Sequence, residues 1–210
     1  MGTDIKAYKK LFPQKHISTI LSSLHQEGAI IRKKTNTDRE DWITRRLHHK
    51  LVRIPIYRDG PLDARLQPEI PSKDPNSNYP GGRIDILIAC AKGAEVYFAI
   101  EAKRLRVQYA GGKIRTGNNE YVEDGMMRFV SGQYAPHMRA GAMLGYVFDG
   151  KTDKARSGID KAVQNKAVKL RLKPPKKLVQ STVLPSKPVN ETRHVLGKRD
   201  FTIYHVLVAV

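Results

Sequence analysis

The stretch RIDILIA, residues 83–89, decides the fold together with EVYFAIEAK, residues 95–103. The first stretch is almost wholly apolar, which is typical of a strand that is covered on both faces of a sheet. The second alternates, so that Val96, Phe98 and Ile100 point to one face while Glu101 and Lys103 point to the other. Lys92-Gly93 is the predicted turn between them. We therefore expect two neighbouring strands at the centre of a sheet.

The flanking sequence predicts an α/β fold, with a mixed central β-sheet flanked by helices. Apolar residues at helical spacing indicate one helix in the first 35 residues, a second from about Thr37, and a third over residues 122–133. Trp42 is counted in the apolar stripe of the second helix. Strands are expected at 52–57, 143–148 and 201–210, and a loop at 59–82. The domain prediction is an N-terminal helical extension, residues 1–36, followed by one main domain, residues 37–210.

Charge restricts the partners that this chain can have. It contains 38 Lys and Arg against 20 Asp and Glu, a formal net charge of +18. A protein this basic is attracted to polyanions, and nucleic acid is the leading candidate before an anionic membrane or an acidic protein. No apolar run approaches the ~20 residues that span a bilayer, and residues 1–10 have no apolar signal-peptide core. Membrane anchoring is therefore not expected.

The single cysteine excludes two kinds of site. Cys90 has no second cysteine for an internal disulfide, and one thiol cannot build a cysteine-rich zinc site. Because Cys90 lies in an apolar run, we expect a buried and inert thiol. Such cysteine usage fits a reducing, cytoplasmic setting.

Asp85, Glu101 and Lys103 form the constellation that carries chemistry. Glu101 and Lys103 are two residues apart on one strand, so their side chains leave the same face about 7 Å apart. A tight connection would bring Asp85 across from Glu101. Two carboxylates with open positions suit Mg²⁺, for which Mn²⁺ can substitute, and Lys103 would orient a metal-activated water or stabilise charge on a phosphate. The alternative is an ordinary salt bridge at a strand end, with Asp85 an unrelated turn residue.

This arrangement resembles the PD-(D/E)XK nuclease superfamily over roughly residues 37–150. The matching elements are a helix with an acid, a strand with Asp85, a hairpin, a strand with Glu101-x-Lys103, then a helix and a strand. The proline that precedes the aspartate in the family motif is replaced by Ile84. The resemblance implies a restriction-endonuclease-like core and Mg²⁺-dependent phosphodiester hydrolysis. It further implies a DNA endonuclease, as in bacterial restriction or anti-phage defence systems.

The fourth acidic residue of the site is open between alternatives. Glu40 lies on the second helix, where the resemblance implies a metal-site glutamate. Thr37-Asp38-Arg39-Glu40 also has the form of a capping box, in which Glu40 would serve the helix terminus instead. Asp41 could exchange roles with Glu40, and Glu69 in the long loop could reach the metal.

Nucleic-acid contacts are predicted in two places. Arg104 and Arg106 continue the catalytic strand and would lie near a phosphate bound at Glu101. Residues 151–200 read as a basic helix and extended loop inserted before the last strand, and the densest charge is at Lys169, Arg171, Lys173, Lys176 and Lys177.

Three functions are compatible with these features. The first is a metal-dependent nuclease. The second is a catalytically silent nucleic-acid-binding or assembly subunit of the same fold, and the third is a basic scaffold whose acidic triad is coincidental. The resemblance also implies a homo-oligomer or a larger complex, with an ATPase among the expected partners.

Overall fold

A computed structural model describes residues 12–72, 74–90 and 96–210. The predicted turn at Lys92-Gly93 and the polar start of the chain, residues 1–10, lie outside these ranges. No helix within them is both long and apolar enough to cross a membrane.

Three helices precede the first strand, and the remaining helices lie between later strands. The helices are α1 (Lys15–Ala29), α2 (Glu40–Leu51), α3 (Pro55–Arg58), α4 (Asn118–Glu120), α5 (Met127–Val130) and α6 (Thr152–Asn165), and a π-helical segment (Tyr121–Met126) joins α4 to α5. The strands are β1 (Leu62–Leu66), β2 (Glu69–Ile70), β3 (Gly82–Arg83), β4 (Ile86–Cys90), β5 (Tyr97–Leu105), β6 (Val107–Gln108), β7 (Ile114–Arg115), β8 (Ala140–Val147), β9 (Val179–Gln180), β10 (Val189–Leu196) and β11 (Arg199–Ala209).

A seven-stranded mixed sheet forms the centre, in the order β1-β4-β5-β8-β11-β10-β9. β5, β8 and β11 run parallel, and the strands outside them pair antiparallel. β2 pairs with β3, and β6 with β7, as two small separate ribbons. The predicted mixed sheet flanked by helices is thus confirmed.

Helices cover both faces of this sheet. Ile20 and Leu24 of α1 and Leu47 of α2 join one buried cluster with Phe98 and Ile100 of β5. The π-helical segment, α5 and α6 build the opposite cluster, which includes Met126 and Ile159 along with Ala99 of β5. Alternate residues of β5 therefore enter different cores, as the period of two predicts.

Three local predictions are wrong. Residues 55–58 form a helix instead of a strand, because Pro55 occupies the first turn, where its missing N–H is tolerated. The predicted loop at 59–82 contains β1, a short edge strand whose alternating Leu62 and Ala64 are buried among turn-forming residues. The predicted extended loop before residue 200 contains β10, which pairs along its length with β11.

Trp42 also departs from the sequence prediction. Its side chain is 52% exposed, whereas Ile43, Leu47 and Leu51 of the same helix are fully buried. The buried stripe of α2 is therefore narrower than predicted and leaves the indole outside the core.

Candidate active site

Asp85 lies between β3 and β4, at the point where β4 enters the main sheet. The β4–β5 register pairs Ile86 with Ile100, so Asp85 stands opposite Glu101 in the next position. Asp85 Oδ2 accepts a hydrogen bond from the backbone N–H of Ala102 at 2.8 Å. This bond holds the carboxylate against the segment of β5 that carries Glu101 and Lys103.

Glu101 and Lys103 form the centre of the constellation. Lys103 Nζ donates to Glu101 Oε1 at 2.6 Å and to the Ala102 carbonyl at 2.8 Å. Glu101 is only 1% exposed, and its Oε2 is buried with no hydrogen-bond partner in the part of the chain that the structure describes. An unpartnered carboxylate oxygen in the interior is costly, and it has the chemistry of a ligand for a hard cation.

Glu40 joins this centre from α2. Its Oε2 accepts the backbone N–H of Arg104 at 2.8 Å, and its Oε1 lies 3.4 Å from Lys103 Nζ. The capping-box alternative is wrong, because α2 begins at Glu40 and its N-cap residue, Arg39, makes no side-chain cap hydrogen bond. Glu40 therefore lies beside the other acids, and its carboxylate also accepts a hydrogen bond from the backbone of β5.

Asp38 fixes the chain just before Glu40. Its carboxylate accepts the N–H groups of Lys34 and Thr35 and pairs with Arg46 at 2.6 Å. Burial alone would raise the pKa of Asp38, but these bonds outweigh it and lower the pKa to about 2. Because the turn is tied in this way, α2 starts at a defined position next to β5.

Arg128 and Tyr134 belong to the site although the sequence analysis missed them. The Arg128 guanidinium lies 3.0 Å from Glu101 Oε1 and also donates to the Tyr134 hydroxyl. That hydroxyl donates in turn to the carbonyl of Arg83, just ahead of Asp85.

Charge and burial together shape protonation in the site. Burial raises the pKa of Glu101 to about 8, the Asp85 carboxylate adds to the increase, and Lys103 and Arg128 oppose it. Burial also raises the pKa of Glu40, against the opposing charge of Lys103. For Lys103, burial favours the neutral amine, yet the carboxylates of Glu101, Glu40 and Asp85 outweigh burial and raise its pKa. Lys103 therefore stays an ammonium ion that can contact an anion.

A cleft of about 150 Å³ opens beside these groups. Glu40, Lys103 and Arg104 form one part of its wall, and the β6–β7 ribbon supplies Tyr109 and Arg115. The cleft gives solvent and a small anionic group a route to Lys103.

Two other acids named by the sequence analysis lie apart from the centre. Asp41 is next to Glu40 but pairs with Arg39 at 3.3 Å. Glu69 is exposed on β2, where its pairing partner is Arg83, and it borders a surface depression formed by the loop of residues 70–80. The structure brings Glu40, and neither of these two, into contact with Lys103.

Among the described residues, no group of three His, Cys, Asp or Glu side chains is arranged to hold a metal ion. Lys103 Nζ stands between Glu40 and Glu101, which keeps these two carboxylates apart. The donor types nevertheless fit Mg²⁺ in their chemistry, since Glu40, Asp85 and Glu101 supply carboxylate oxygens and Glu101 Oε2 has no hydrogen-bond partner among the described residues.

Arg104 and Arg106 are used differently. Arg104 donates to the Asp38 carbonyl at 3.0 Å and lies over the Phe148 ring, and it borders the cleft. Arg106 binds Asp149 through two nitrogens, and both side chains are mostly buried, at 12% and 8% exposure. This geometry gives Arg106 a structural role and does not support the predicted phosphate contact.

Arg106→Met is accordingly expected to destabilise the fold by about 2 kcal/mol, because it leaves the Asp149 carboxylate without its guanidinium. DNA affinity per folded molecule should be unchanged. Urea denaturation measures the first effect, and anisotropy with labelled DNA measures the second. If the variant keeps the stability of the wild type but binds DNA poorly, Arg106 is part of the nucleic-acid-binding surface.

The five basic residues of the C-terminal segment do not form one free surface. Lys169 pairs with Glu123, and Lys173 lies 3.1 Å from Asp200. Arg171, Lys176 and Lys177 are exposed. The segment is thus a partly neutralised patch.

Comparison with known proteins gives no family for the chain. No family model matches it, and neither the curated proteins nor the solved structures include a match.

Proposed function

We propose that this protein is a metal-dependent nuclease that hydrolyses phosphodiester bonds in DNA, built on the PD-(D/E)XK arrangement of a restriction-endonuclease-like core. One observation carries the proposal. Asp85, Glu101 and Lys103 meet Glu40 around one segment of β5, and Glu101 Oε2 is buried there with no hydrogen-bond partner among the described residues. The net charge of +18 supports a polyanionic substrate.

Each residue has a role in this mechanism. Asp85, Glu101 and Glu40 would hold Mg²⁺, which, when bound, polarises the phosphate and lowers the pKa of a water molecule. Lys103, kept as an ammonium ion by its acidic neighbours, would contact a phosphate oxygen and stabilise the charge that develops on it. Arg128 would hold Glu101 in place through Oε1, the same oxygen that Lys103 contacts.

The biological setting that we propose follows from the same resemblance. The enzyme would cut DNA internally, in a cytoplasmic restriction or anti-phage system. A homo-oligomer or a complex with an ATPase would place one active site on each strand. The runner-up is a catalytically silent subunit of the same fold, which would bind DNA without cutting it.

The test is cleavage of supercoiled and linear DNA with Mg²⁺, with Mn²⁺ and with EDTA. The wild type is expected to nick or linearise DNA with either metal and to lose all activity in EDTA. Asp85→Asn should lose most of this activity and still bind DNA, because the substitution removes a ligand charge but keeps the shape. Asp63→Asn, an exposed aspartate on neighbouring β1, is the matched control and should cut normally.

Two outcomes would count against the proposal. DNA binding without cleavage under all metal conditions would favour the silent subunit. Equal cleavage by wild type and Asp85→Asn would show that the activity does not come from this site.

A further inference from the structure

The exposed face of α2 carries a stripe of basic and aromatic side chains. Arg39, Trp42, Arg45, His49 and Arg53 follow one another at intervals of three or four residues, and all five are exposed. This spacing places them in one row along the helix and its two ends. At about 1.5 Å per residue the row extends about 21 Å. We call it the α2 stripe.

The opposite face of α2 fixes the stripe in place. Ile43, Thr44, Leu47 and Leu51 are fully buried against the sheet. Because the apolar face of α2 packs against the core, the α2 stripe faces solvent.

The charges of the α2 stripe are available to a ligand. Arg45 and Arg53 form no ion pair with any residue in the part of the chain that the structure describes. Arg39 pairs with Asp41, but its side chain is 68% exposed, and such a surface pair is weak enough to exchange for a phosphate. The Arg39 guanidinium also lies 5.9 Å from the centre of the Trp42 ring. Cationic groups and a flat aromatic surface are thus combined.

The α2 stripe begins at the candidate active site. The first residue of α2 is Glu40, which contacts Lys103 and the backbone of Arg104. At the other end, a shallow cavity of about 310 Å³ is bordered by Arg32, Lys50 and Arg53. Basic side chains therefore follow α2 from the candidate active site at its first residue to this cavity at its other end.

We propose that the α2 stripe follows the phosphate backbone of duplex DNA as it leaves the cleavage site. This inference rests on the proposed nuclease function and names the path of its substrate. A row of about 21 Å corresponds to about six base pairs of rise at 3.4 Å each. Arg45 and Arg53 contact phosphates, and Trp42 packs against the sugar edge of the strand.

Duplex DNA fits this surface better than a membrane does. A helix that lies in a membrane interface buries a broad apolar face in the lipid, and α2 has only Trp42 to offer. The C-terminal lysines are the rival DNA surface, but two of them are already paired with Glu123 and Asp200.

Trp42 makes the proposal directly measurable, because it is the only tryptophan of the chain. Titration with a short duplex in EDTA, where no cleavage occurs, is expected to quench or shift its emission until binding saturates. Arg45→Gln combined with Arg53→Gln should weaken duplex binding at least about tenfold. The same pair should reduce the dependence of log Kd on log salt by about two, since each lost phosphate contact removes about 0.9.

Lys176→Gln combined with Lys177→Gln removes the same charge from the rival surface and is expected to change Kd by less than about twofold. Unchanged Trp42 emission at saturation, or equal weakening by both pairs, would overturn the proposal. So would stripe-dependent binding that is tighter for anionic vesicles or an acidic peptide than for the duplex.

The outcomes separate this inference from the nuclease proposal. Stripe-dependent binding by a protein that never cuts would support the α2 stripe and refute the nuclease. Cleavage that is lost in Asp85→Asn but unchanged in the Arg45→Gln, Arg53→Gln variant would support the nuclease and refute the α2 stripe.

Discussion

Glu101→Gln is expected to reduce metal-dependent DNA cleavage by ~10²–10³-fold and, at the same time, to stabilise the metal-free fold at pH 8. The loss of activity follows from removing the buried charge that would bind the metal. The gain in stability follows from the balance of charge, since among the described residues Asp85, Glu40 and Glu101 face two cations, Lys103 and Arg128. Glutamine in place of Glu101 leaves two carboxylates and two cations.

The effect on stability depends on pH. The pKa of Glu101 rises from its ordinary value of 4.5 to about 8 on folding, so the folded state binds more protons between these values. Stability conferred by the protonated carboxyl is therefore lost as pH rises through this window. We expect the free energy of unfolding of Glu101→Gln to exceed that of the wild type by about 1–2 kcal/mol at pH 8. This is a fraction of the ~1.4 kcal/mol per pKa unit, because Lys103 also loses a partner. At pH 5 the difference should nearly vanish.

Thermal unfolding in EDTA at pH 5 and pH 8 measures this change, and plasmid cleavage with Mg²⁺ measures the loss of activity. Glu123→Gln is the control, because that glutamate pairs with Lys166 and Lys169 at the surface, where such pairs contribute little. It should alter neither property by much. A Glu101→Gln variant that is less stable than wild type at pH 8 would mean that the ion pair with Lys103 outweighs the cost of burial.

The centre of the site could be predicted from sequence because it depends on local geometry. Glu101 and Lys103 share a face through the period of two, and a short connection places Asp85 opposite Glu101. Arg128 comes from α5 and Tyr134 from the turn that follows it, and their positions depend on how this segment packs against the sheet. Sequence spacing carries no information on that packing.

β10 was missed for a different reason. Its sequence, VNETRHVL, is mostly polar and reads as a loop, yet Asn190, Glu191, Thr192 and His194 are buried. Their partners come from other elements. Glu191 accepts the backbone N–H of Thr182, and His194 meets the Leu170 carbonyl. Polar residues can occupy a buried strand when tertiary hydrogen bonds satisfy them, and the sequence does not record those bonds.

The same strand takes part in a buried chain of hydrogen bonds. The donor and the acceptor of each bond can be assigned by starting from the Leu170 carbonyl. His194 Nδ1 lies 2.7 Å from the Leu170 carbonyl, which only accepts, so this nitrogen donates. His194 Nε2 must then accept from the Thr192 hydroxyl, which accepts in turn from His205 Nε2. His205 Nδ1 finally accepts from the Tyr121 hydroxyl at 3.0 Å. Every donor faces an acceptor only while both histidines are neutral.

Acidification is therefore expected to destabilise this protein well above the pH at which solvent-exposed carboxylates ordinarily titrate. Burial lowers the pKa of His194 to about 4, and burial with the neighbouring His194 lowers that of His205 to about 3. Unfolded histidine has a pKa of 6.5, so the unfolded state binds more protons below that value and stability falls as pH drops from 6.5 towards 4. Between pH 6.5 and 5 each histidine contributes a loss of up to about 2 kcal/mol.

Glu101 acts in the opposite direction over the same range, because its protonated form is favoured on folding. With the same reduction for the partner that Lys103 loses, its contribution offsets about 1 kcal/mol of the ~4 kcal/mol from the two histidines, which leaves a net loss of about 3 kcal/mol in the wild type. Glu101→Gln removes that offset, so its stability should fall about a third more steeply than that of the wild type. Urea denaturation at pH 6.5 and 5 measures both slopes. His137→Gln, at an exposed histidine, should leave them unchanged.

Direct observation of the imidazole protons by NMR separates this cause from others. The ring signals of His194 and His205 should show no titration down to pH 5. If His194 or His205 titrates near 6.5 in the folded protein, the chain from Leu170 to Tyr121 is open to protons. The acid sensitivity would then come from another part of the molecule. If both stay neutral while stability falls, the histidines of the polar strand β10 and its partner β11 account for the acid limit of the fold.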